Sequence, residues 1–145
     1  MKKLTQILAL AVLTFGFSAL HAEKVVAGPK GGRILEKTEP KAEFFVEKDK
    51  TVTVTFYDAA MKPIAAADQN VTIVADSKEG KEKIQLEKKG DVLVSKTPLP
   101  NVENGNVVVQ FKQNAEAKPQ NLRFKVNTST CGECKRAEYA CTCDE

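Results

Sequence analysis

The sequence predicts an all-β fold, an antiparallel β-sandwich, on three observations. Short runs of alternating or β-branched residues recur along the chain, turn-forming residues separate them, and outside residues 1–22 no stretch keeps a helical period. The runs cover 33–36, 42–47, 51–57, 70–75, 83–87, 91–96, 106–112 and 121–127. Strands at such short intervals suit hairpin-connected antiparallel pairs packed in two layers.

The N-terminus sets the compartment. Met1-Lys2-Lys3 is a basic n-region, Leu4 to Leu20 is an apolar run, and Ala22 offers the small residue at which a signal peptidase cuts. Residues 1–22 are therefore expected to be a cleaved signal peptide, which makes the protein periplasmic or secreted. No cysteine adjoins the cut, so no lipoprotein anchor is expected, and no later run is apolar enough to span a bilayer.

Removing 22 of the 145 residues leaves 123 and takes Lys2 and Lys3, so the formal charge falls from +3 to +1. Nucleic-acid binding needs a basic patch or stripe, and a near-neutral chain gives no case for one. Cleavage also removes His21, the only histidine. Without an imidazole neither a Ser-His-Asp nor a Cys-His arrangement can form, so no catalytic residue is assigned and no enzymatic activity is expected. Metal ligands are reduced to thiolates and carboxylates.

Residues 23–32 are expected to be a flexible, glycine-rich leader. Ala27-Gly-Pro-Lys-Gly-Gly-Arg33 contains the glycines of a phosphate loop, but that loop needs Gly-Lys-Ser/Thr opening a helix, and here Arg33-Ile-Leu opens a strand. A close turn that feeds the first strand into the sheet fits better.

Residues 33–127 are expected to form the β-domain. Thr51-Val-Thr-Val-Thr-Phe-Tyr57 is the clearest strand, with Val52, Val54 and Phe56 on one face and threonines on the other. Lys89-Gly90-Asp91 joins two runs as a hairpin turn, and Glu103-Asn-Gly-Asn106 carries an Asn-Gly pair that tolerates positive φ. Leu122, Phe124 and Val126 mark the closing strand. Lys78-Glu-Gly-Lys-Glu-Lys83 and Glu87-Lys-Lys89 mix charges of both signs and read as solvated turns. No pair of carboxylates stands apart from this background as an acid and base. The absence of tryptophan and of cysteine within the strands argues against an antibody-type domain with a buried disulfide.

Residues 128–145 are a polar linker and an exposed, flexible tail that holds every cysteine: Cys131, Cys134, Cys141 and Cys143. Cys-x-x-Cys puts two sulfurs on one turn, Cys-x-Cys does so more tightly, and six intervening residues let the pairs close a tetrathiolate around Zn²⁺ or Cu⁺. An oxidising compartment favours disulfides instead, with Cys131 to Cys143 and Cys134 to Cys141 more plausible than a strained Cys141–Cys143 ring. A dithiol redox site would need a helix N-terminus after a strand, which nothing in the sequence supplies. Metal and disulfide both stand.

The order Gly28-Pro-Lys-Gly-Gly-Arg-Ile-Leu-Glu36, Ala42-Glu-Phe-Phe-Val46, then Thr51-Val-Thr-Val-Thr-Phe-Tyr-Asp58 with Lys62-Pro63 resembles small bacterial periplasmic β-sandwich domains. Such domains occur alone or at the N-terminus of the periplasmic adaptor subunits of heavy-metal efflux pumps. The resemblance covers roughly residues 27–127. It implies an immunoglobulin-like sandwich and an accessory role in metal handling, with an efflux system or another envelope protein as partner. Members often carry histidine where this chain has Lys30, a departure that removes a ligand from the leader.

Overall fold

Val52, Val54 and Phe56 stand opposite Val46, Phe44 and Ala42 of the preceding strand; all but the partly buried Val46, which packs against the others, belong to the core. The computed structural model describes residues 24–102 and 105–143. The expected signal peptide, and Glu103 and Asn104 of the expected Asn-Gly turn, lie outside the described residues. The strands are β1 (Arg33–Leu35), β2 (Lys41–Val46), β3 (Val52–Tyr57), β4 (Pro63–Ile64), β5 (Asn70–Ser77), β6 (Gly80–Lys89), β7 (Val92–Ser95), β8 (Gly105–Lys112) and β9 (Gln120–Val126), followed by a 3-10 turn at Glu138–Ala140.

The chain is all-β, and every named strand pair is antiparallel. The sheet runs β1-β2-β3-β7-β6-β5-β8-β9, with β4 paired to β3 off that path. Strand β6 joins its two halves: Gly80 to Gln85 pair with β5, and Leu86 to Lys89 pair with β7. The far ends come back to face each other, since the Arg33 guanidinium of β1 lies 4.7 Å from the ring centroid of Phe124 on β9. The sheet is therefore nearly closed into a barrel, which protects most of its edges. Alternation fills the interior: Val71, Ile73 and Ala75 of β5, and Val107, Val109 and Phe111 of β8, are all buried.

All eight expected runs are strands, with ends displaced by at most three residues. The short β4 was not foreseen. The charged Glu87-Lys-Lys89 lies in β6 and not on a turn; that strand exposes all but Ile84 and Leu86, and its ladders on both edges hold it extended. Gly90, at φ 63°, makes the expected hairpin to β7 in a region where only glycine is free of steric cost.

All six residues of β3 are buried, its threonine face included. The leader packs onto the outer face of β2. Glu43 points outward from β2, yet it is fully buried, because the turn 28–32 folds over it. Its carboxylate accepts the N–H groups of Lys30 and Gly32, at 3.0 and 2.8 Å, and the Tyr57 hydroxyl at 2.6 Å. Gly28 and Gly32 are required by this closeness, since a Cβ on Gly28 would collide with the Glu43 carboxylate and one on Gly32 with the Phe44 carbonyl.

Candidate metal centre

After β9 the chain folds into a miniature hairpin. Thr130 and Ala137 form an antiparallel bridge, Glu138 N–H donates to Ser129 O and Tyr139 N–H donates to Asn127 O. Between the arms, Cys131 N–H donates to Arg136 O at 2.7 Å and Lys135 N–H to Cys131 O at 3.2 Å. Lys135 takes a left-handed φ of 60°, the reversal that lets the Cys-x-x-Cys loop turn back. The 3-10 turn then plants Tyr139 and Ala140 in the core and returns Cys141 beside Cys131.

The expectation of an exposed tail is thus corrected for Cys131, Tyr139, Ala140 and Cys141, which are buried. Tyr139 packs edge-on against Phe44, centroids 5.9 Å apart, and its hydroxyl accepts Val46 N–H at 2.9 Å. This aromatic anchor is what the sequence reading missed; its signal was a single apolar pair, Tyr139-Ala140, within an otherwise polar segment. An aromatic ring of this size contributes most of the apolar area that a short segment can bury.

All four expected site residues are brought together. The sulfurs of Cys131, Cys134, Cys141 and Cys143 lie within 4.8 Å of one another. Cys131 to Cys141 is 3.3 Å, Cys134 to Cys141 3.7 Å, and Cys131 to Cys143 3.9 Å. None is at the bonded length of about 2.0 Å, and all four are free thiols. A tetrahedral tetrathiolate with bonds of about 2.3 Å has sulfur–sulfur edges of about 3.8 Å, close to these separations. The donor set and its spacing therefore fit one thiophilic cation.

Backbone N–H groups support thiolate at the site. Cys143 N–H points at Cys141 Sγ at 3.4 Å. The Arg136 N–H beside Cys134 holds that thiol well below its ordinary range, at about 6, despite an opposing contribution from burial. For Cys141, the favourable Cys143 N–H is outweighed by the Cys131 thiol and by burial, and its pKa is raised. Cys143 is pushed up by hydrogen bonding to Cys134 and Cys141 and by burial. Cys134 thus ionises readily while Cys141 and Cys143 hold their protons more tightly, and a bound cation would provide the positive charge that releases them.

Elsewhere, a groove of about 510 Å³ lies at the other end of β2, lined by Lys41, Tyr57, Asp58, Ile64, Gln69 and others. Of its two acidic residues, Glu39 and Asp58, the second is engaged in its own turn, accepting the N–H groups of Ala60 and Lys62. The groove gathers no set of groups comparable to the cysteines. Among the described residues no helix is long and apolar enough to cross a membrane.

The fold and site together define a class: a small antiparallel β-protein carrying a clustered four-cysteine site compatible with metal binding. No family model, curated protein or solved structure matches the chain.

Proposed function

We propose that this chain is a non-enzymatic envelope protein that binds a thiophilic cation, Zn²⁺ or Cu⁺, through Cys131, Cys134, Cys141 and Cys143. The observation that carries the reading is the convergence of four sulfurs within 4.8 Å inside a folded knuckle. Separations of 3.3 to 3.9 Å favour a four-coordinate ion such as Zn²⁺ over linear two-sulfur coordination. The signal-like N-terminus supports a periplasmic or secreted location.

The resemblance to efflux-adaptor domains supplies the biological setting, metal homeostasis beside an efflux system. Strand order supports the immunoglobulin-like part of this reading. Pairing of β2 to β3 and β3 to β7 on one side, and of β5 to β8 and β8 to β9 on the other, follows the A-B-E and C-F-G order of such sandwiches, with β6 running between the two sheets.

The test is uptake by the reduced full chain. About one Zn²⁺ per chain is expected, and Co²⁺ should give the intense thiolate-to-metal absorption of a tetrahedral site. A protein that takes up neither Zn²⁺ nor Cu⁺ while its four thiols are free sinks the proposal. The second reading is a sandwich stapled by disulfides, favoured by the closeness of Cys131 and Cys141 in an oxidising compartment. Mass spectrometry of protein taken from the envelope without reductant separates the two, because two disulfides lower the mass by about four hydrogens.

A further inference from the structure

The four sulfurs are not equivalent. Cys131 and Cys141 are buried, at 7% and 6% exposure, whereas Cys134 and Cys143 are only half-buried. The inner pair is fixed by the frame of the fold. Cys131 N–H is bonded to Arg136 O, and Cys141 N–H to Glu138 O at the end of the turn that seats Tyr139. Cys134 lies at the tip of the knuckle between exposed Glu133 and Lys135, and Cys143 follows exposed Thr142. The half-buried Cys134 and Cys143 are thus the more accessible pair of the cluster.

Four cysteines would complete the coordination of one cation, but the two pairs differ in burial. A cation in this site would be held by two sulfurs from within and presented to solvent by the other two. We infer that the site is an exchange site, which passes its cation to a thiol-bearing acceptor by replacement of Cys143 and Cys134 before Cys131 and Cys141. The inference rests on the metal-binding reading above and names the chemistry of the partner: a protein or peptide displaying a Cys-x-x-Cys dithiol.

The exchange is balanced without electron transfer. An acceptor sulfur bonds to the cation as the Cys143–metal bond breaks, its second sulfur displaces Cys134, and a second acceptor dithiol replaces Cys141 and Cys131 in the same way; the oxidation state of the metal does not change. Each acceptor thiol gives up a proton on binding, and each departing protein sulfur takes one up. Lys135 and Arg136 beside Cys134 place positive charge where an anionic dithiolate would arrive.

The experiment loads the full chain with one equivalent of Zn²⁺ and mixes it with rising concentrations of a synthetic Cys-x-x-Cys peptide. Direct exchange predicts that a tenfold rise in peptide raises the transfer rate about tenfold. Brief maleimide labelling of the zinc-loaded protein should favour Cys134 and Cys143 over Cys131 and Cys141 by at least about fivefold, following sulfur access. A transfer rate independent of peptide concentration, or equal labelling of all four cysteines, overturns the exchange inference while leaving metal binding intact. Failure of the reduced chain to take up any zinc overturns both.

Discussion

The hydroxyl of Tyr139 accepts the backbone N–H of Val46 at 2.9 Å, tying the cysteine-bearing segment to the edge of β2. Strand β1 pairs only with Ala42, Glu43 and Phe44, so it stops short of Val46. Tyr139 takes the place that a longer β1 would have filled, and it does so from the segment that positions Cys141. Packing of the β-domain and geometry of the cysteine cluster are linked through this one side chain.

Removing only the hydroxyl, in Tyr139→Phe, should cost about 1 kcal/mol in chemical denaturation, the usual net value of one hydrogen bond. Tyr139→Ala also removes the edge-on contact with Phe44 and leaves a cavity, so a loss of about 3–5 kcal/mol is expected. The second variant should also speed amide exchange at Cys141 in the metal-free protein. A Tyr139→Ala protein as stable as wild type would show that the segment does not dock as described.

Glu43 offers a different test, because its buried carboxylate satisfies three donors at once. Glu43→Ala leaves the N–H groups of Lys30 and Gly32 and the Tyr57 hydroxyl unpaired, at about 1–3 kcal/mol for each donor that water cannot reach. Gly28→Ala forces a methyl group into the same carboxylate, and overpacking of this kind costs about 1–3 kcal/mol. Both variants should loosen the leader, seen as faster proteolysis near residues 28–32. A neutral Gly28→Ala would contradict the described closeness of leader and Glu43.

Burial, the hydrogen bond to Glu43 and the charge of that carboxylate all raise the pKa of Tyr57 above its ordinary 10. A raised folded-state value favours the protonated phenol, so its contribution to stability is complete below pH 10 and is lost as pH climbs above it. The stability gap between wild type and Tyr57→Phe should therefore stay level from neutral pH to about 10 and shrink beyond it. A gap that widens with alkaline pH would reverse the sign and contradict the Tyr57–Glu43 pairing.

These residues show why part of the molecule was legible in the sequence and part was not. Strands announce themselves by period, so Val52, Val54 and Phe56, or Val107, Val109 and Phe111, could be assigned to an interior without knowing what faced them. The four cysteines were legible for a similar reason, since their spacing is a local property. Glu43 was not, because alternation places it outward with the solvated charges; only the return of the leader, a contact between positions 28–32 and 43, buries it. The docking of Tyr139 onto Val46 spans 93 residues of sequence and has no local signature. The glycines of the leader did signal a close turn, but not the carboxylate that the turn covers.

The last prediction concerns the metal-free cluster. With the Arg136 N–H directed at it, Cys134 has a pKa of about 6, while burial and neighbouring thiols raise those of Cys141 and Cys143. Thiolate is the reactive form, so iodoacetamide at pH 7 should modify Cys134 first. The pH profile of that reaction should rise through about 6, whereas Cys141 and Cys143 should react only in more alkaline solution. A depressed value means that the thiolate is favoured above it and lost as pH falls through it, so a metal held by these sulfurs should be released as acid protonates them. Peptide mapping of singly alkylated protein reads the site directly. Equal modification of all four cysteines at pH 7, or a first modification at Cys143, would mean that the backbone N–H does not select Cys134.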